Sequence, residues 1–190
     1  MRSIIYVSAI LFLLLHNTAF AQDDADLRLQ LFSDLDASVQ SANSADAKQF
    51  APSNYKKASK YYLSAEQMFK KKKALASIQT TISKSANYYK KATEASLKAQ
   101  ELMSLASQAR DDAKAANAEQ YAGPLWAKAT ANYLSTIERH EAGKADAAVK
   151  KAAATEEAFR AAELAAIKNN YLAEARRLIN QAETEKVRKY

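Results

Sequence analysis

Residues 74–120 constrain the fold most, because they contain no Pro or Gly and small apolar residues recur at alternating intervals of four and three. The alternating residues are Tyr88, Ala92, Ala95, Ala99, Leu102, Ala106, Ala109, Ala113 and Ala116. This spacing is typical of a helix that keeps one narrow stripe against a neighbouring helix. At about 1.5 Å per residue, a single helix over this run would be roughly 70 Å long. The run therefore predicts a long central helix.

The composition favours an all-α fold that is held together by packing alone. The 190 residues include two Gly, two Pro and no Cys. Chains poor in Gly and Pro and rich in Ala form helices readily. A chain without Cys forms no disulfides, so its stability has to come from helix packing.

Residues 1–21 have the pattern of a secretory signal peptide. A charged Arg2 precedes an apolar stretch at residues 4–15, and the Ala-Phe-Ala sequence at residues 19–21 is a small-x-small cleavage site. The alternative is an uncleaved anchor, which is disfavoured because a membrane span normally needs ~20 apolar residues. No Cys follows, so lipid attachment at the cleavage site is not expected. We expect an exported protein that is periplasmic or peripheral to the outer membrane.

The charge is concentrated in the first half of the chain. The formal net charge is +7, and residues 49–98 contain eleven Lys against two Glu. A basic band on an exported protein favours anionic partners such as lipid headgroups, lipopolysaccharide or wall polymers. The alternative is a solvated face that only maintains solubility.

The chain repeats itself at an offset of 71 residues. The tripeptide Tyr-Leu-Ser at residues 62–64 returns at residues 133–135, and without gaps Tyr88 falls opposite Phe159. We interpret this as an internal duplication.

Turn residues recur at the same offset. Pro52 and Pro124 each suit the first turn of a helix, because Pro lacks the N–H that such a position leaves unused. Gly143 suits the left-handed position just past a helix end, and the Lys run 70–73 lies opposite it in the first copy.

These features predict an elongated array of two three-helix units that share the long central helix. The predicted helices are residues 26–49, 53–71, 74–120, 124–141 and 145–189. The predicted domains are a signal peptide (1–21), a basic first unit (22–98), a second unit (99–168) and a C-terminal helix extension (169–190). Because the central stripe is satisfied within the chain, a monomer is favoured over a dimer.

The gapless repeat also predicts the core of each unit. The expected core of the first unit is Phe50, Tyr55, Tyr62, Leu63, Met68, Ile78, Ile82 and Tyr88. The expected core of the second unit is Leu102, Tyr121, Trp126, Tyr133, Leu134, Val149 and Phe159.

Tyrosines and lysines of the first unit form a candidate surface for an anionic ligand or a protein partner. Aromatic rings among ammonium groups can stack on a ligand and attract its charge. Because the repeat assigns Tyr62 and Tyr88 to the core, Tyr61 and Tyr89 remain for the surface. The candidate residues are Lys56, Lys57, Lys60, Tyr61, Lys70, Lys71, Lys72, Lys73, Tyr89, Lys90 and Lys91.

The residues do not predict an enzyme. After the leader the only His is His140, so neither an ordinary zinc site nor a Ser/His or Cys/His pair is expected. No Gly-rich phosphate loop is present. We expect no catalytic residue, no metal, no cofactor and no nucleic-acid partner.

Residues 47–58, with the sequence AKQFAPSNYKKA, precede spaced Ala residues and then Tyr88 and Ala92. This pattern resembles a family of Ala-rich helical domains of the bacterial cell envelope, of unknown function, in which a helix runs into a Tyr/Phe-Ala-Pro turn. The domains often occur in lipoproteins or ahead of OmpA-like peptidoglycan-binding domains. This chain has neither a lipidation Cys nor an OmpA-like domain, so the resemblance implies neither anchoring nor wall binding.

Two functions are consistent with these observations. The first is a non-enzymatic periplasmic scaffold or spacer that mediates protein interactions in the bacterial cell envelope, with partners that the residues do not name. The alternative is a basic helical module that binds anionic lipid, lipopolysaccharide or wall glycan.

Overall fold

The protein is all-α in a computed structural model that describes residues 3–187, with side chains described from Asp24 to Lys186. The described residues form eight helices and no strand. The helices are α1 (Ser3–Ser44), α2 (Ala47–Phe50), α3 (Pro52–Lys70), α4 (Leu75–Leu102), α5 (Ser104–Ala115), α6 (Ala118–Tyr121), α7 (Gly123–Glu141) and α8 (Ala145–Val187). The side chains of the predicted signal peptide, residues 1–21, lie outside this description. Within the described part, no helix has the length and apolarity needed to span a bilayer.

The chain divides into two units. Unit 1 comprises residues 1–45 and 54–93, and unit 2 comprises residues 46–53 and 94–190. In this division the short helix α2 belongs to unit 2. There the Phe50 ring lies 6.5 Å from the ring of Tyr133, so Phe50 is not a core residue of the first unit as predicted.

The predicted central helix over residues 74–120 is corrected to three helices, α4, α5 and α6. Met103 separates α4 from α5 with ψ near 5°, although it keeps hydrogen bonds to Ala99 and Ser107. Asn117 separates α5 from α6 with a left-handed φ of 55°. Asn adopts this conformation more readily than most residues, so a run without Pro or Gly can still contain a break.

The same break interrupts the predicted first helix. Asp46 has a φ of 50° and lies between α1 and α2, 71 residues before Asn117. The helices that follow these breaks, α2 and α6, are both four residues long. The left-handed residue and the short helix therefore recur at the repeat offset.

The turns after α3 and α7 also match. Lys72 has a φ of 50° and Gly143 has a φ of 75°. In the first turn the N–H of Lys73 bonds the carbonyl of Met68 at 3.0 Å, and the N–H of Lys144 bonds Arg139 at 3.0 Å in the second. This is the Schellman arrangement that closes a helix end.

Helix α4 of unit 1 aligns with helix α8 of unit 2 at an offset of 70 residues rather than 71. The α3–α4 connection comprises residues 71–74, whereas the α7–α8 connection comprises residues 142–144, so the first copy has one extra residue. As a result Tyr89, not Tyr88, is the counterpart of Phe159, and both are buried. Ile78 likewise corresponds to Ala148, and Val149 is 56% exposed instead of lying in the core.

Equivalent aromatic contacts join the second and third helices of the two units, which are α3 and α4 in unit 1 and α7 and α8 in unit 2. The rings of Tyr55 and Tyr89 are 5.5 Å apart in unit 1, and those of Trp126 and Phe159 are 5.4 Å apart in unit 2. Most of the other buried positions are Ala, which allows close helix approach but buries little area.

Two further predicted core residues face solvent. Leu63 is 62% exposed and Leu134 is 56% exposed. Each follows the inward-facing tyrosine of its Tyr-Leu-Ser tripeptide, and consecutive helical residues point about 100° apart. The repeat located the tripeptide correctly, but only its tyrosine belongs to the core.

The two turns offer a reciprocal test of backbone strain. Lys72→Gly should raise the free energy of unfolding by up to about 1 kcal/mol, because Gly adopts a left-handed φ without the Cβ clash. Gly143→Lys should lower it by about 1 kcal/mol, although a Cβ there meets no atom within 4 Å. Urea unfolding followed by circular dichroism measures both changes. Lys70→Gly, at the last residue of α3, is the control and should give no gain; equal effects at residues 70 and 72 would contradict the assignment.

Candidate functional site

Helices α3 and α4 run antiparallel and carry most of the predicted surface residues. The Ser85 hydroxyl donates a 2.8 Å hydrogen bond to the carbonyl of Ala58, and Thr81 contacts Met68 further along the pair. Because Ala58 precedes Met68 while Ser85 follows Thr81, the two helices run in opposite directions. Their outer face brings together side chains from two distant parts of the sequence.

Tyr61 of α3 and Tyr88 of α4 form a stacked pair on this face. Their ring centroids are 5.7 Å apart and the ring planes differ by 9°. The Nζ atoms of Lys57 and Lys91 lie 5.8 and 5.6 Å from the centre of the Tyr88 ring. We call these four residues the Tyr61–Tyr88 site. The sequence predicts Tyr61 and both lysines on this surface, whereas it predicts Tyr88 in the core.

Tyr89 is not a surface residue, and its predicted role in the candidate surface is corrected. It is 3% exposed, and its hydroxyl forms a 3.1 Å hydrogen bond with that of Ser59. Burial raises the pKa of Tyr89 above its ordinary value, against the lowering effect of the bond with Ser59. The alignment without gaps placed Tyr88 in the core and Tyr89 on the surface. The assignments are reversed because this alignment did not allow for the extra residue of the α3–α4 connection.

The other predicted lysines are exposed. Lys56 and Lys60 lie on α3 and Lys90 lies on α4, and all three side chains are exposed. The run of residues 70–73 lies at the α3–α4 turn, where Lys72 Nζ is 3.4 Å from a carboxylate oxygen of Asp24. Exposed ion pairs of this kind contribute little to stability. The lysine run therefore remains accessible to an anionic partner.

A polar network in unit 1 was not predicted from the sequence. Arg28 Nε donates a 3.0 Å hydrogen bond to Glu66, and Nη1 donates a 3.1 Å bond to Asp36. The Tyr62 hydroxyl donates a 3.0 Å bond to Asp36. Partial burial acts to lower the pKa of Arg28, but the hydrogen bonds with Glu66 and Asp36 outweigh it and raise the pKa.

Burial and the hydrogen bond to Asp36 raise the pKa of Tyr62 as well. In unit 2 the counterparts of Arg28, Asp36 and Glu66 are Ala99, Ser107 and Ile137. In unit 2 the Tyr133 hydroxyl forms a 3.0 Å hydrogen bond with Ser107 of α5. Both units therefore have a hydrogen bond between this tyrosine and an earlier helix, but unit 2 lacks the charged residues. No sequence signal identified the network, because its members are up to 38 residues apart.

Within the described side chains, no group of three or more His, Cys, Asp or Glu is placed to hold a metal ion. Comparisons of the chain with protein-family models, curated proteins and solved structures found no match. The resemblance to Ala-rich envelope domains stays a prediction.

The buried tyrosine gives a test with a pH dependence. Tyr89→Phe should lower the free energy of unfolding at pH 7 by about 1 kcal/mol, because the bond with Ser59 is lost. The pKa of Tyr89 is raised in the folded state. Its contribution to the free energy of unfolding of the wild type is therefore complete below about pH 10 and decreases as the pH rises above that value. The Phe variant should lose less stability over this range.

Urea unfolding between pH 7 and pH 11 measures both effects. Tyr61→Phe is the matched control and should leave stability unchanged, because its hydroxyl forms no hydrogen bond among the described side chains. An equal loss in both variants at pH 7 would contradict the assignment of Tyr89 to the core.

Proposed function

We propose that this protein is a non-enzymatic helical scaffold of the bacterial cell envelope that binds another protein through the C-terminal part of α8. The observation that carries the proposal is the run of residues 167–186, in which every described side chain is exposed. The large apolar residues in this run are Ile167, Tyr171, Leu172, Leu178 and Ile179. We call residues 167–186 the α8 tail.

The apolar side chains of the α8 tail follow a seven-residue spacing. Tyr171 and Leu178 are seven residues apart, as are Leu172 and Ile179. Side chains at this interval lie along one stripe that a second helix can cover. Leu172 and Ile179 are 55% and 57% exposed, so both are available to a partner helix.

The envelope location is supported by the sequence pattern of residues 1–21, and the scaffold acts there as an exported, periplasmic protein. The predicted central stripe supports a monomer rather than a dimer. Its residues Ala92, Ala99, Ala106, Ala109 and Ala113 are all buried within the single chain. The α8 tail is then an exposed apolar surface available to a protein partner.

A second candidate function is electrostatic docking on an anionic partner: lipid, lipopolysaccharide or wall glycan. It is favoured by the exposed lysines on α3, on α4 and at their turn. Surface charges of one sign attract opposite charges over about 10 Å at 0.1 M salt, so such docking is weakened by salt.

The scaffold is tested with the purified protein immobilised and exposed to solubilised envelope extract. Proteins retained by the wild type should be lost from the double variant Leu172→Asp/Ile179→Asp, because the charges disrupt the apolar stripe. The matched control is Leu105→Asp/Leu134→Asp, which alters exposed leucines of unit 2 outside α8 and should retain the same proteins. Identical retention by all three proteins, or retention by none, would contradict the proposal. Light scattering on each protein tests whether the partner is a second copy.

The docking function predicts a different response. Association with vesicles containing anionic lipid, or with lipopolysaccharide, should fall steeply between 50 and 500 mM salt, where the Debye length decreases from about 14 to about 4 Å. Changing all four of Lys70, Lys71, Lys72 and Lys73 to Ala should weaken association at low salt, measured by co-sedimentation. Association that survives high salt, or that is unchanged in the variant, would argue against docking through these lysines.

A further inference from the structure

We propose that the Tyr61–Tyr88 site binds an anionic saccharide, meaning a sugar ring that carries a carboxylate or phosphate group. The inference rests on the second proposed function and narrows it from a general basic surface to one site and one class of ligand. Four residues would make the contacts: Tyr61 and Tyr88 through their rings and hydroxyls, and Lys57 and Lys91 through their ammonium groups.

Two ammonium groups flank one ring in this site. Lys57 and Lys91 each lie within 6 Å of the Tyr88 ring centre, a distance at which the ring attracts a cation. Neither Nζ forms an ion pair within the described part of the chain. An anionic group bound at the Tyr88 ring would be attracted to both ammonium groups.

The tyrosine hydroxyls of the site are available to a ligand. In unit 1 the hydroxyls of Tyr55, Tyr62 and Tyr89 bond Asn43, Asp36 and Ser59. Among the described side chains, the hydroxyls of Tyr61 and Tyr88 have no such partner. Each can donate and accept a hydrogen bond, which suits the many hydroxyls of a sugar.

Unit 2 shows that these residues are not needed to pack the helices. At the positions equivalent to Tyr61, Tyr88 and Lys91, unit 2 has Asn132, Ala158 and Ala161. Only Lys57 has a lysine counterpart, Lys128. The same helix pair forms in unit 2, where Trp126 contacts Phe159, so the stacked tyrosines and the second lysine are specific to the surface of unit 1.

The surroundings favour a saccharide over a membrane surface. Helices that lie in a membrane interface bury Trp, Phe or Leu side chains in the acyl region. The nearest exposed leucine on α3, Leu63, is two residues from Tyr61 and therefore on the opposite side of the helix. Within unit 1 the exposed leucine of α4 is Leu75, about 20 Å from Tyr88 along the axis. The site thus presents aromatic rings and charge without an apolar anchor.

The experiment titrates the purified protein with four probes: trigalacturonate, uncharged maltotriose, inorganic phosphate and phosphatidylglycerol vesicles. Calorimetry gives the affinity for each. The test variant is Tyr61→Asn/Tyr88→Ala, which uses the residues of unit 2 and leaves the net charge unchanged. A second variant, Lys91→Ala, removes one ammonium, and Lys128→Ala is its matched control in unit 2. Circular dichroism verifies that each variant keeps the helix content and melting temperature of the wild type.

Trigalacturonate should bind the wild type at least about tenfold more tightly than it binds the tyrosine variant or Lys91→Ala, a difference of about 1.4 kcal/mol. Lys128→Ala should bind as the wild type does. Maltotriose and phosphate should each bind more weakly than trigalacturonate, because each offers only part of the ligand.

If the tyrosine variant and the wild type bind trigalacturonate with equal affinity, and this binding decreases steeply with salt, the proposed site is wrong. The docking function is then still supported. Binding of no probe by the wild type would overturn both. Vesicle binding that depends on the tyrosines and exceeds trigalacturonate binding would replace the saccharide with a membrane surface. Should the tyrosine variant unfold, Tyr61→Phe/Tyr88→Phe keeps the rings and should still weaken trigalacturonate binding; an unchanged affinity there would overturn the role of the hydroxyls.

Discussion

Equivalent aromatic contacts join α3 to α4 in unit 1 and α7 to α8 in unit 2, and the packing of these helix pairs depends on them. Most other buried positions are Ala, and a helix face of small residues can slide past another with little change in contact area. The contacts of Tyr55 with Tyr89 and of Trp126 with Phe159 break this degeneracy, since large rings fit at only one register. Hydrogen bonds between Tyr62 and Asp36 and between Tyr133 and Ser107 connect α3 to α1 and α7 to α5.

The two units keep this framework and differ in what surrounds it. Unit 1 has the charged network of Arg28, where unit 2 has small and apolar residues. On its outer face unit 1 has the stacked tyrosines and lysines, where unit 2 has mainly Ala and Asn. The same helix arrangement can thus present different surfaces in the two units, because residues on the solvent side are not constrained by packing.

Much of the fold could be predicted from the sequence. The scarcity of Gly and Pro predicted an all-α chain. Pro52 and Pro124 marked helix starts to within a residue, and Gly143 lies two residues past the end of α7. The breaks at Met103 and Asn117 were missed, since neither residue is a strong helix breaker. Of the candidate surface, the lysines of α3 and α4 are exposed and Tyr61 is half-buried, whereas Tyr89 is buried. The network of Arg28 was not foreseen.

The sequence by itself determined the all-α class, most of the helix ends, the 71-residue repeat and the basic character of unit 1, because these depend on local composition and on matches along the chain. Only the tertiary structure decided which of the adjacent residues Tyr88 and Tyr89 faces the core. The first copy has one extra residue between its second and third helices, and one residue rotates a helix face by about 100°. In so Ala-rich a sequence, an alignment without gaps still matches many residues, so the extra residue is not detected. The contact of Tyr89 with Tyr55 in the folded protein shows where it lies.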